Sequence, residues 1–319
     1  MELDKITLQD QRGGASAEIL PGFGFNLFSF QPVIQDKPVQ VLWSTPGFTT
    51  GKERASHSGI PVLFPFPGRL RGREFTFRGK KRSLTSCPDD GRGNAIHGFV
   101  LDRPWRVVEQ MPDRATGEFR AAIDEPKLLH EWPSDFLIRV NYELSGNKLL
   151  SRIEIQNPGD SELPFTFGTH PYFRVPLGVT GEAANCRVSV PAAEYWELVD
   201  MLPSGERLPA EGQRGLAHGL SFAESKLDDV FTSLKYAGDK CVARIVDPHN
   251  RRVLSLAFDS NFRDCVVYTP PHREAICIEP YSGVPDAYTL AERGIPTGLR
   301  VLTPGGTATY HFEIMVAPG

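Results

Sequence analysis

Two histidines and a glutamate sit in three short segments rich in glycine, proline and aromatic residues. The segments are Asn94-Ala95-Ile96-His97-Gly98-Phe99, Phe167-Gly168-Thr169-His170-Pro171-Tyr172-Phe173 and Ile276-Cys277-Ile278-Glu279-Pro280-Tyr281. An imidazole titrates near neutral pH, and a carboxylate reaches that range when desolvated. The chemistry open to such a set is proton transfer, with one group giving a proton while another takes one. Taken singly, each residue has a plainer use. His97 beside a glycine reads as a turn histidine bonded to backbone, and His170 before a proline as a buried, satisfied one. Glu279 follows the apolar run Ala275 to Ile278 and reads either as an end-of-strand surface group or as a desolvated base. The ordered set, not any one member, points to a site.

Other chemistries lack their motifs. No GxxxxGK[ST] phosphate loop occurs, and no GxGxxG opens a βαβ unit. HExxH is missing, and no pair of His, Cys, Asp or Glu has metal-ligand spacing on one element. Gly-x-Ser-x-Gly is absent too, so a hydrolase nucleophile elbow has no support. Chemistry done by side chains alone is the expectation, with no cofactor and no metal.

The elements that must position these groups read as strands. Phe136 to Leu144 alternates apolar and mainly polar residues, as a half-buried strand does. Ser145-Gly146-Asn147 supplies a turn, and Lys148 to Gln156 alternates again, which makes an antiparallel hairpin. A second hairpin is expected from Glu74-Phe77 through Arg78-Gly79-Lys80 to Lys81-Thr85, with further strands at Val253-Phe258, Cys265-Thr269 and Tyr310-Val316. Helical periodicity is scarce, and its best candidate is a short turn around Glu292. Many short strands divided by 30 glycines and 27 prolines mean an all-β sandwich or barrel. No linker, repeat or charge block divides the chain, so residues 1-319 read as one domain.

A chain of 319 residues can bury a large core unaided. Its net charge of -4 leaves no footprint for nucleic acid or an anionic membrane surface. Five cysteines without a CxxC pair argue against a disulfide framework and fit a reducing compartment. Met1 to Lys5 shows no basic stretch leading into an apolar one, and no apolar run approaches transmembrane length. A cytoplasmic location is the expectation. The basic stretch Arg69 to Arg73, continued by Lys80-Lys81-Arg82, reads as a solvated hairpin face apart from Arg69 and Arg71.

The chain resembles the aldose 1-epimerase (galactose mutarotase-like) family nearly end to end. The likeness is carried by Ala17 to Gly24, by Gly59-Ile60-Pro61 through Gly68-Arg69-Leu70-Arg71-Gly72, and by Ile96-His97-Gly98-Phe99. Thr169-His170-Pro171-Tyr172-Phe173, Leu227-Asp228-Asp229-Val230-Phe231, and Ile278-Glu279-Pro280 with Pro285-Asp286-Ala287 follow in family order. The resemblance implies an all-β, antiparallel β-supersandwich. It places His170 as general acid and Glu279 as general base, with Arg69, His97 and Asp228 holding the sugar and Asp229 as the alternative one residue on. Arg71 and Tyr172 join the expected sugar-binding set, and Trp43, Phe99 and Tyr172 are candidates for an apolar wall. Many galactose-type members carry Asn before the arginine and Thr or Asn near the acid histidine. Here Gly68 and Pro171 stand instead, which marks a divergent branch.

The implied activity interconverts the two anomers of a free, glucose- or galactose-like monosaccharide by acid–base ring opening, in a monomer or homodimer. Working at neutral pH asks for Glu279 raised by desolvation and His170 kept largely protonated. The two groups are expected to face each other across a gap the width of one pyranose ring. Two other readings stand beside this one. A hexose-6-phosphate epimerase shares fold and acid–base pair, but where its arginine is expected this chain has Leu101, leaving Arg71, Arg73 or Arg103 as substitutes. A non-catalytic sugar-binding protein shares the fold without needing a matched acid and base. A sandwich domain of a polysaccharide-processing enzyme is a weaker third.

Overall fold

The computed structural model describes residues 2–224 and 226–319. Two large antiparallel sheets dominate. The first orders its nine strands as Arg106–Gln110, Arg114–Arg120, Leu137–Ser145, Lys148–Gln156, Thr307–Pro318, Arg252–Asp259, Lys240–Asp247, Arg187–Ser189 and Leu220–Ser221. The second runs Leu202–Pro209, Ala192–Val199, Asp228–Leu234, Asp264–Tyr268, Ala275–Tyr281, Gly168–Thr169 and Val62–Leu63, with Tyr172–Arg174 also paired to Ala275–Tyr281. Alternation buries one face of each strand. Ile138, Val140 and Tyr142 of the first sheet share a core cluster with Phe231, Val267, Ile276 and Ile278 of the second. This is the expected galactose mutarotase-like β-supersandwich.

Turn chemistry sets the registers. Ser145 pairs with Lys148, so Gly146 and Asn147 form a two-residue turn that Gly146 opens at φ +60°. Asn147 then ties this turn to Val33 through both its backbone N–H and C=O. The second hairpin differs from expectation by one residue. Its strands are Glu74–Phe77 and Lys80–Ser83, joined by Arg78 and Gly79 alone. Both turn residues have positive φ, the conformation that closes the tightest hairpins. The helical turn expected near Glu292 is Ala287–Glu292. Two further single-turn helices, Ala121–Asp124 and Leu128–Glu131, carry too little periodicity to be read from sequence. Among the described residues, no helix is long and apolar enough to cross a membrane.

Candidate active site

Strand register builds the site. Gly168 pairs with Tyr281 and Tyr172 with Cys277, which sets His170 directly opposite Glu279. Side chains two residues apart share a face. Cys277, Glu279 and Tyr281 therefore point away from the core that takes Ile276 and Ile278. The row continues outward, because Glu279 pairs with Val266, which pairs with Val230, and Tyr268 pairs with Asp228. His170, Glu279, Tyr281, Val266, Val230, Tyr268 and Asp228 all line one cavity of about 570 Å³.

Two prolines hold this part of the sheet open. Neither Pro171 nor Pro280 can donate a ladder hydrogen bond, and the short strands Gly168–Thr169 and Tyr172–Arg174 stop on either side of His170. Glu279 consequently lies in mid-strand and is 1% exposed, not at a strand end in solvent. Its Oε1 lies 3.3 Å from Nε2 of His170, and its Oε2 accepts a 2.7 Å hydrogen bond from the Tyr281 hydroxyl. The ring of His170 stacks on Tyr172, nearly parallel at 4.9 Å between centroids.

The other sugar-binding candidates divide by position. His97 sits at φ +63°, just past the short strand Ala95–Ile96, which pairs with Arg69–Leu70. Gly98 follows it with its Cα pressed against the Phe64 carbonyl, where a side chain has no room. This turn lets His97 Nδ1 accept the Gly68 N–H at 3.2 Å. Burial, with the nearby His170 and Arg69, holds the His97 imidazole well below its usual pKa. A neutral ring that accepts at Nδ1 carries its proton on Nε2, so His97 offers the cavity a donor. Arg69 is anchored through Nε to Asp90 Oδ2 at 3.1 Å, and Asn94 and Arg92 hold Asp90 in turn. Asp228 and Asp229 point to opposite faces. Asp228 lines the cavity, and Asp229 is buried against Arg214 at 2.7 Å.

Four expectations are corrected. His170 and Glu279 are in contact, not a ring's width apart. The geometry still suits anomer exchange, since the hydroxyl and ring oxygens to be served are bonded to a single carbon. Second, His170 is not held protonated. Burial lowers it to about 3, while burial raises Glu279 well above the carboxylate range against the opposing pull of Tyr281 and Arg69. Both shifts favour the neutral form of their group. Third, Arg71 does not line the cavity: its backbone N–H and Nε both bind Asp286, which also accepts from Thr289. Fourth, Phe99 belongs to the main core, and Trp43 stacks on His272 while donating to Glu274, so only Tyr172 of the three aromatics forms a wall.

Several lining residues carry no signal in the sequence, among them Tyr268, Tyr281 and Arg54. Tyr281 follows Glu279-Pro280 with nothing in the sequence to mark its hydroxyl. Arg54, on the Gly51–His57 segment at the mouth, has no motif around it. Apart from Arg69, it supplies the only Lys or Arg side chain lining the cavity among the described residues.

A sequence model of the family described as aldose 1-epimerase matches residues 4–315. The chain belongs to the aldose 1-epimerase family. An uncharacterized protein, YphB, of Escherichia coli K12 is 24% identical over 305 residues, covering 87% of this chain and 92% of that one. Solved structures share the fold. A galactose mutarotase-like protein from Clostridium acetobutylicum superposes with a TM-score of 0.86 at 23% identity, covering 100% of this chain and 99% of its own. A GalM/aldose epimerase homologue from C. elegans gives 0.82 at 19% identity, with 99% of each chain covered. Galactose 1-epimerase from Lactobacillus acidophilus NCFM gives 0.76 at 18% identity, covering 99% of this chain and 94% of that one.

Proposed function

We propose that this member of the family is an aldose 1-epimerase that converts the α and β anomers of a free aldohexose, with Glu279 as base and His170 as acid. The observation that carries this is the 3.3 Å contact between His170 Nε2 and Glu279 Oε1 on the floor of an open cavity. Passing the shared proton across that contact gives a carboxylate and an imidazolium. Tyr281 and Arg69 favour the carboxylate. Glu279 then takes the proton of the C1 hydroxyl while His170 gives one to the ring oxygen, and the C1–O5 bond breaks. The open-chain aldehyde turns about C1–C2 and closes by the reverse path. Ring opening returns the pair to its neutral form, the form that burial favours, so the protein stabilises the state in which the aldehyde is held. Arg69, His97 and Asp228 would grip hydroxyls, with Tyr172 against an apolar ring face.

A free sugar suits the cavity better than a sugar phosphate. Leu101 lines it where an arginine was sought. Arg73 is spent on Leu84, Cys87 and Asp89, and Arg103 on Phe99, Ser86 and Asp102. Glu53, Asp89, Asp102 and Asp228 line the cavity alongside Arg54, a poor setting for a dianion. The same reading takes the chain as one domain, supported by a core cluster that includes residues from Ile6 to Val316. Polarimetry on freshly dissolved α-glucose and α-galactose tests the proposal. Glu279→Gln and His170→Asn should each lose at least about a hundredfold in rate with the fold intact. Near-normal rates in either variant would remove the acid–base pair from the mechanism.

A further inference from the structure

We propose that His170 and Glu279 on the cavity floor, with the buried Cys277 beside them, form a soft-metal site where Zn²⁺ binds and switches off the proton-transfer pair. The inhibitory half of this inference rests on the epimerase reading; the metal site itself does not. Sequence spacing had suggested no metal ligands on one element. A strand, however, puts residues i and i+2 on the same face, and Cys277 and Glu279 are so placed, with His170 opposite Glu279. One donor atom from each residue lies within 4.8 Å of the other two.

Tetrahedral zinc holds nitrogen and oxygen at about 2.0–2.2 Å and sulfur at about 2.3 Å, which sets donor separations near 3.3–3.7 Å. The imidazole–carboxylate distance of 3.3 Å already fits. The thiol lies within 4.8 Å of both other donors, so at most about 1–1.5 Å separates it from a zinc-binding position. His170 Nδ1 is buried and has no hydrogen-bond partner among the described residues, so no bond opposes a small rotation of the ring. Tyr172, the cross-strand partner of Cys277, shares its buried cluster and walls in the thiol. A thiolate, a carboxylate and a neutral imidazole cancel the charge of Zn²⁺, so the buried cluster is neutral overall. A mixed S, N, O donor set favours zinc over magnesium or calcium. The fourth position is left to water.

On binding, the thiol proton and the proton shared by His170 and Glu279 leave to solvent, and no electrons move. The metal occupies Nε2 and Oε1, the two atoms that ring opening needs, so it excludes catalysis and competes with sugar. Its affinity rises with pH because protons are released.

Chelator-treated full-length protein titrated with Co²⁺, a spectroscopic stand-in for zinc, gives the direct test. A thiolate-to-cobalt charge-transfer band should appear at one equivalent, shrink under saturating glucose, and be absent from Cys277→Ser and Cys277→Ala. In parallel, Zn²⁺ should inhibit mutarotation competitively with sugar and be reversed by EDTA. Both Cys277 variants should turn sugar over normally and need at least about tenfold more Zn²⁺ for the same inhibition. No band in the unmodified protein, or equal Zn²⁺ sensitivity with and without the thiol, overturns the inference. Sugar turnover without a thiol-dependent band refutes the metal site alone. A thiol-dependent band in a protein that turns over no sugar leaves the site standing and refutes the epimerase reading.

Discussion

Among the described residues, the Tyr281 hydroxyl is the one donor that reaches Glu279 Oε2, and it opposes the desolvation that raises the carboxyl's pKa. Tyr281→Phe should therefore raise Glu279 further. The sign follows: the pair keeps its working proton to higher pH, so the alkaline limb of the pH–rate profile moves up. Meanwhile kcat falls by about tenfold, the scale of one lost charge-assisted hydrogen bond. Mutarotation rates across pH check this, and an unmoved limb would make Tyr281 mere packing. At this scale the sequence was readable where a residue type came embedded in an ordered motif. His170, Glu279, His97, Arg69 and Asp228 all line the cavity, and Tyr172 stacks on His170. Arg71 is not separable from Arg69 in the sequence, because basic residues two apart on one short segment look alike in a string. Only the fold reveals that Asp286, more than two hundred residues on, has claimed its guanidinium. The protonation of His170 was misjudged because burial on all sides is a property of the assembled sheets.

Among the elements, the strand Ala275–Tyr281 carries the site and was the hardest to delimit. It is buried on both faces, so period two is invisible in its hydropathy, and Pro280 made it seem to end at Ile278. The alternating strands of the outer hairpins were legible because one of their faces meets water. Gly168 is the hinge of this arrangement. A Cβ there would lie 2.5 Å from Cδ1 of Tyr281 and 2.8 Å from Cβ of Pro67. Gly168→Ala should push the tyrosine ring away from Glu279. The expected cost is about 1–3 kcal/mol of stability in urea denaturation, with a fall in kcat resembling that of Tyr281→Phe. An alanine variant of full stability and full activity would show that the ring has slack.

Across the whole molecule, burial of ionisable groups ties the site to folding. His170, lowered to about 3, and His97, held well below its usual value, stay neutral in the native state and take up protons only on unfolding. Depressed native values mean stability that is present above about pH 6.5 and lost as pH falls through and below it. Glu279, raised in the native state, acts in the opposite sense above about pH 4.5, so stability should peak near neutrality. In urea titrations, His170→Asn should flatten the decline between pH 6.5 and 4.5 by up to about 1.4 kcal/mol per pH unit. An unchanged slope would mean that His170 is charged in the folded protein. The central claim, that this imidazole and this carboxyl together serve one anomeric carbon, is tested most directly by a crystal structure of the Glu279→Gln variant with bound aldohexose. The account predicts His170 Nε2 within about 3 Å of the ring oxygen and the residue 279 side chain within about 3 Å of the C1 hydroxyl. A sugar bound with C1 turned toward Arg54 and the cavity mouth, away from both groups, would contradict it.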